Sequence, residues 1–301
     1  MKVLVATDGS KYGRWGLNWV GKLPFVERPS VMALHVLDLR ALRAPFLWQP
    51  VMAGSERYIQ EEIHRMEARS AKTLKEATQQ LAALKLKGTA RKAQGAIAPT
   101  ILKRAPKRDG LLVVGSQGLD ALDRFMLGSV STNLIHHATC PVLVVKGEAV
   151  PLRRITLATD GSDASAKALE FILTKFQPDR STGKGGRAPI HVSVIHVMAS
   201  SPLAPITFNL SMPWNKHPGL KGAGHKFIEQ SVQKLIQAGF TAEPVYQLGN
   251  RAEKIMKVAS KHRADLIVMG AKGLGAIDRF LLGSVSTRVV QHSSCSVLVV
   301  R

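Results

Sequence analysis

The feature that most narrows what this chain can fold into is a repeat at the scale of a whole domain. Val5-Ala6-Thr7-Asp8-Gly9-Ser10 returns as Leu157-Ala158-Thr159-Asp160-Gly161-Ser162, and Leu34-His35-Val36 returns as Ile195-His196-Val197. Gly115 to Val145 returns almost in full as Gly270 to Val300. The offset between copies is 152 residues at the start, 161 at the His-Val pair and 155 at the end, so length differences fall between shared blocks, where loops belong. The basic, glycine-rich stretch Arg180 to Arg187 is one such insertion. A connector around Lys146 to Leu152, containing Pro151, separates the copies and gives domains at 1–147 and 152–301. The 301 residues suffice for two domains of about 150 each, and duplication with fusion accounts for the pattern.

Each copy alternates short, β-branched apolar runs with longer segments of helical period. In the first copy the pattern predicts strands at 2–7, 31–37, 89–94, 111–115 and 141–145, with helices at 10–22, 55–86, 97–106 and 128–138. In the second it predicts strands at 154–159, 190–197, 241–247, 265–270 and 296–300. Pro99 suits the first turn of its helix, where a missing N–H costs nothing. The strands are apolar at nearly every position, as in a parallel sheet covered on both faces. The expected class is α/β: two tandem Rossmann-like domains, each a five-stranded parallel sheet with helices on both faces. Such sheets bind ligands beyond the carboxyl ends of their strands.

Motifs appear at those ends. After its fourth strand the first copy reads Gly115-x2-Gly118-x9-Gly128-Ser129, and the second reads Gly270-x2-Gly273-x9-Gly283-Ser284. Two glycines allow a sharp turn and a close backbone approach; the third, with its serine, opens a helix whose free N–H groups favour an anion. Backbone amides with the hydroxyls of Ser129 and Ser131, or Ser284 and Ser286, form a candidate phosphate cradle. The plainer reading is that these glycines only make turns.

On these motifs, the Asp after the first strand and the ending Cys140-Pro141-Val142-Leu143-Val144-Val145, the chain resembles the universal stress protein family in its tandem form, over essentially its whole length. The second ending reads Cys295-Ser296-Val297, with Ser296 in place of Pro. The resemblance implies an adenine nucleotide alpha hydrolase-like fold and a stress-response regulator that binds ATP, with Mg²⁺ as an optional companion. It implies Asp8 and Asp160 at the adenosine end and Val36 and Val197 against adenine. It also implies Gly115, Gly118, Gly128, Ser129, Val130 and Ser131 around ribose and phosphates, and Gly270, Gly273, Gly283, Ser284, Val285 and Ser286 in the second copy. Further, it implies that Val142 to Val145 and Val297 to Val300 pair about a pseudo-twofold axis within the chain; a homodimer stays open. Gln117 corresponds to Lys272, which either adds a charge contact to phosphate or points into solvent. Arg124 and Arg279 flank the loops as candidate phosphate caps.

No Walker lysine, kinase signature or catalytic base is present, so no catalytic residue is assigned. A slow ATPase is the rival reading. The formal charge of +21 is densest from Lys85 to Arg108, with eight basic and no acidic residues. That stretch supports a third reading, a basic adaptor for nucleic acid or acidic protein. It carries no base-reading motif, however, so specific nucleic-acid binding is not expected. His136, His137 and Cys140, like His292 and Cys295, lack the ligand set of a zinc site, and the cysteines read as small hydrophobes beside a strand. No apolar run reaches the roughly 18 residues that span a bilayer, and no leader pattern opens the chain, so a cytoplasmic location is expected.

Overall fold

The computed structural model describes residues 1–40, 55–107, 109–118, 127–178, 189–198, 223–273 and 282–301. Arg124, Arg279 and the insertion Arg180 to Arg187 lie outside the described residues. The chain divides into two compact units, Met1–Gly21 with Arg28–Ala149, and Lys22–Glu27 with Val150–Arg301.

The first unit runs β1 (Lys2–Ala6), α1 (Lys11–Lys22), β2 (Ser30–Leu37), α2 (Ser55–Ala83), β3 (Lys87–Gln94), α3 (Ile97–Arg104), β4 (Leu111–Gly115), α4 (Ser129–His137) and β5 (Val142–Val145). Its strand order is β3-β2-β1-β4-β5, with every pair parallel. β1 lies between β2 and β4, with Val3 opposite Leu111 and Val5 opposite Val113. β4 is buried at all five residues and β5 at all four, as the continuous apolar runs required. The outer strand β3 is mostly exposed and carries Lys87, Arg91 and Lys92, charges that discourage another strand from adding to an open edge.

The second unit repeats the plan: β6 (Arg154–Ala158), α5 (Asp163–Lys175), β7 (His191–Met198), α6 (Ala223–Gln237), β8 (Thr241–Leu248), α7 (Arg251–Lys261), β9 (Leu266–Gly270), α8 (Ser284–His292) and β10 (Ser296–Val300). The order is β8-β7-β6-β9-β10, again parallel. Pro244 sits within β8, tolerable because this strand has a partner on one side only. The segment Lys22–Glu27 groups with this unit, where Phe25 bridges Phe176 with ring centroids 5.9 Å apart.

The architecture is the α/β class expected, and element limits agree with the periodicity to within three residues. Pro99 falls in the first turn of α3. Cys140 is fully buried, whereas Cys295 is only partly covered. Among the described residues no helix is long and apolar enough to cross a membrane.

Thr156, in the middle of β6, is wholly buried, and its hydroxyl has no hydrogen-bond partner among the described residues. The matching position in β1 is Leu4, an apolar residue in the same setting. A buried hydroxyl without a partner costs about 1–3 kcal/mol. Thr156→Val should therefore raise the stability of the second unit by about 1 kcal/mol, read as a higher urea midpoint with an unchanged m value.

Candidate functional site

In both units the site is built where β1 meets β4, or β6 meets β9. β1 connects through α1 to β2 on one side, while its neighbour on the other side is β4, so the crossovers leave a crevice at the carboxyl ends of these two strands. The turn after β1 is Thr7-Asp8-Gly9-Ser10. Gly9 takes φ +84° and Gly161 +82°, a region that L side chains avoid, and this lets the chain reverse directly into a helix. Ser10 then accepts the Gly13 amide at 3.2 Å, and Ser162 accepts the Ser165 amide at 3.3 Å, so each serine caps its helix. Asp8 Oδ1 accepts the Ser10 amide at 2.9 Å. Asp160 Oδ1 accepts both the amide and the hydroxyl of Ser162, at 3.0 and 2.6 Å. These bonds orient each carboxylate, with Oδ2 turned toward the glycine loop.

The three glycines of each loop do different things. Gly115 ends β4, and a Cβ there would lie 2.6 Å from the Tyr12 Cβ; at Gly270 it would lie 2.6 Å from the Ala164 carbonyl carbon. These two glycines let the first helix pack against the strand. Gly118 approaches Asp8 so closely that a Cβ would lie 2.9 Å from Oδ2, and Gly273 crowds Asp160 Oδ2 still more. Among the described residues Gly128 is not crowded: the nearest atom to an added Cβ would be the Ser116 carbonyl oxygen, at 3.6 Å. The amides of Gly128 and Gly283 each close their loop by donating at 2.8 Å to the carbonyls of Ser116 and Ala271.

Gly128 caps α4 and Gly283 caps α8 without any side-chain bond, and neither first turn contains an acidic residue. The first N–H groups of a helix have no intrahelical acceptor and carry the positive end of the helix dipole. Ser129 and Ser284 lie at this helix start, with Val130 and Val285 beside them. Ser131 and Ser286 depart from the expected donor role. They are buried, and their hydroxyls donate to the Gly115 and Gly270 carbonyls at 2.6 and 2.9 Å. A hydroxyl has one proton, so these serines brace the helix against the end of the strand.

Val36 and Val197 sit near the ends of β2 and β7 and are 9% and 6% exposed. Their neighbours His35 and His196 are residues that reading motifs alone passes over. Nδ1 of each stands 2.9 or 3.0 Å from the carbonyl of Thr7 or Thr159, which can only accept, so Nδ1 carries the proton. Each histidine thus ties its strand to the residue before the site aspartate. The signal was present in the sequence, since both copies keep His-Val at this place. Gln117 is buried, and Lys272 is half-buried. Site 1 also has Lys11 over the Tyr12 and Trp15 rings, at 5.1 and 5.6 Å from their centroids; the second copy has Asp163, Ala164 and Lys167 at these positions.

The model of the Universal stress protein family matches residues 1–146 and again 151–301. The chain belongs to the universal stress protein family. A universal stress protein of Mycolicibacterium smegmatis is 26% identical over 99% of this chain and 96% of its own length. The crystal structure of a universal stress protein from Archaeoglobus fulgidus shares the fold, with a TM-score of 0.66 at 21% identity over 100% of this chain and 96% of that one. A family protein of Arabidopsis thaliana, solved with AMP bound, covers 49% of this chain and 90% of its own at 22% identity and a TM-score of 0.33.

The packing glycine sets a stability test. Gly115→Ala drives a methyl into the Tyr12 Cβ, and overpacking of this kind costs about 1–3 kcal/mol. Chemical denaturation of the variant should show a loss of that size in the first unit, with or without nucleotide present.

Proposed function

We propose that this tandem universal stress protein is a cytoplasmic stress-response regulator that binds ATP, with or without Mg²⁺, at both glycine loops. Asp8 and Asp160 receive the adenosine end, with Val36 and Val197 beside the base. Gly118, Gly128, Ser129 and Val130, and their counterparts Gly273, Gly283, Ser284 and Val285, receive ribose and phosphates. Gly115 and Gly270, braced by Ser131 and Ser286, hold the loops in place. Gln117 and Lys272 make the two sites unequal, the second offering a cation to phosphate. AMP is recorded in the Arabidopsis protein, but the reading for this chain rests on its own loops.

The observation that carries it is Gly128. Its φ of −63° and ψ of 152° are open to any residue, and among the described residues an added Cβ would make only ordinary van der Waals contacts, the nearest at 3.6 Å. Neither backbone conformation nor packing among the described residues requires glycine here, while a backbone that must approach a phosphate does. Turn-making alone therefore explains Gly115 but not Gly128.

Gly128→Ala separates folding from binding. The alanine variant should fold with unchanged or slightly higher stability, since removing a glycine at a compatible φ gains about 0.4–1 kcal/mol. Isothermal titration with ATP and Mg²⁺ should show two sites per chain in the unaltered protein. In the variant, affinity at one site should fall about tenfold or more, the loss of one hydrogen bond to a charged group. Mass spectrometry of nucleotide released from denatured, freshly purified protein identifies the occupant. Unchanged titration in Gly128→Ala, or no binding at millimolar ATP, overturns the proposal.

A further inference from the structure

The two units finish their sheets differently at the outer strand. Among the described residues, β3 and β8 each have a neighbour on one side only. In parallel pairing, alternate residues of an outer strand bond inward, and those between them present their N–H and C=O to the open side. The inward amides fix which residues are which. Thr241 donates to the Ile190 carbonyl and Gly249 to the Met198 carbonyl, so odd-numbered residues of β8 bond β7 and even-numbered ones face out. In the first unit Gly95 donates to the Leu37 carbonyl at 3.1 Å, which turns Gly88, Ala90, Lys92 and Gln94 outward.

Pro244 is the fourth residue of β8 and one of those that face out. Its missing N–H takes no bond from β7, but it removes a donor that an added strand would need. The fourth residue of β3 is Ala90, which keeps that donor. The edge that proline closes in the second unit is therefore open in the first, and side-chain charge decides what can reach it.

That charge is arranged by face. Lys92 Nζ lies 3.6 Å from Glu67 of α2, so α2 covers the face that Lys92 shares with the even-numbered residues. The connection from β3 to β4 crosses the sheet in the opposite direction, which in a right-handed crossover places α3 on the other face, with Lys87, Thr89 and Arg91. The eight residues of α3 reach about 12 Å against about 26 Å for β3, and Lys87, Thr89 and Arg91 stay exposed beside it. Its last turn adds Lys103 and Arg104, and Lys107 follows. All five cations are exposed, and none pairs with a carboxylate among the described residues. The matching places in β8 hold Thr241, Glu243 and Val245, with no cation among them.

We propose that β3 is a docking edge for an acidic, extended segment of a partner protein, which adds to the sheet as a further strand. Main-chain bonds to Gly88, Ala90, Lys92 and Gln94 hold the guest, and its carboxylates lie opposite Lys87 and Arg91. Cations repel basic strands, β3 of a second copy included, so the charge that keeps this edge from pairing with itself also selects an acidic guest. A phosphodiester backbone fits less well. It brings acceptors only and leaves the outward carbonyls unmet, and no aromatic residue lies between Lys85 and Asp109 to stack a base.

The probe is a capped peptide of about ten residues that alternates glutamate with threonine, long enough to pair with all of β3. Titrated into the full chain at low salt, it should bind in a salt-sensitive way and slow exchange of the Gly88, Ala90, Lys92 and Gln94 amides, read by NMR. Ala90→Pro introduces the residue of the second unit, leaves every charge and every bond to β2 in place, and should weaken binding at least about tenfold. Lys87→Gln with Arg91→Gln should weaken it about three- to tenfold. The same peptide methylated at its backbone nitrogens keeps its carboxylates and should not bind, a result independent of how Ala90→Pro folds. Equal binding of the methylated and unmethylated peptides, or no binding at millimolar peptide, overturns the proposal. If peptide binding is indifferent to Ala90→Pro while a DNA duplex binds more tightly through Lys87 and Arg91, the face is a site for a phosphate backbone and not for a strand. Nucleotide is absent throughout, so these results stand apart from the test of ATP binding.

Discussion

Each unit depends on one strand pairing, β1 with β4 in the first and β6 with β9 in the second. That pairing joins segments more than a hundred residues apart in sequence and sets the Asp-bearing turn beside the glycine loop. Its register is rigidly specified, because the paired residues are buried on both faces. A slip of one residue would reverse the face of every side chain and move the loop about 3.3 Å along the strand. Asp8 and Gly118 would then no longer meet. The hydrophobic core therefore fixes the geometry of the site before any polar group contributes.

Around that pairing the loop glycines divide the labour. Gly115 and Gly270 belong to folding, since the first turn of the neighbouring helix occupies the space a side chain would need. Gly118 and Gly273 lie against the site aspartates, where a methyl would push Oδ2 out of position. Among the described residues Gly128 has neither reason to be glycine, and no side-chain bond caps the helix behind it, whose first N–H groups have no intrahelical acceptor. One sequence pattern thus mixes residues kept for the core with residues whose identity makes sense only with a ligand present. Spacing alone cannot sort them, but the direction of each missing Cβ can.

Much of this was legible in the sequence, for a physical reason. Buried parallel strands are continuous apolar runs, and helices between them keep a different period, so element limits and the α/β class could be read from residue pattern alone. The internal repeat then located the loops after β4 and β9. What pattern could not show was where individual protons go. Ser131 looks like a phosphate donor from its place in the motif, yet its hydrogen goes to the Gly115 carbonyl at 2.6 Å. His35 looks like one more residue in a strand until its Nδ1 is seen against the Thr7 carbonyl. Thr156 reads as a β-branched strand former, and only burial reveals a hydroxyl with no partner among the described residues. Assigning each donor to its acceptor needs three dimensions.

The two units also show which parts of a duplicated domain are free to diverge. At the carboxyl ends of the strands the copies agree in kind: aspartate, cap serine, three glycines, bracing serine and tethering histidine recur with nearly the same distances. At the amino ends they do not. Ser30, Met32 and Thr89 in the first unit give way to His191, Ser193 and Glu243 in the second. Strand ends on that side carry no loop motif, so the requirement there is only that polar groups be satisfied, which many side-chain sets can meet. The outer strand of each unit then takes a distinct solution: a row of cations on β3, and on β8 a proline together with a carboxylate tied to two histidines. The first guards its edge with charge. The second ties its edge to β7 and to the end of α7 through side chains, so the two copies of one fold protect equivalent strands by different means.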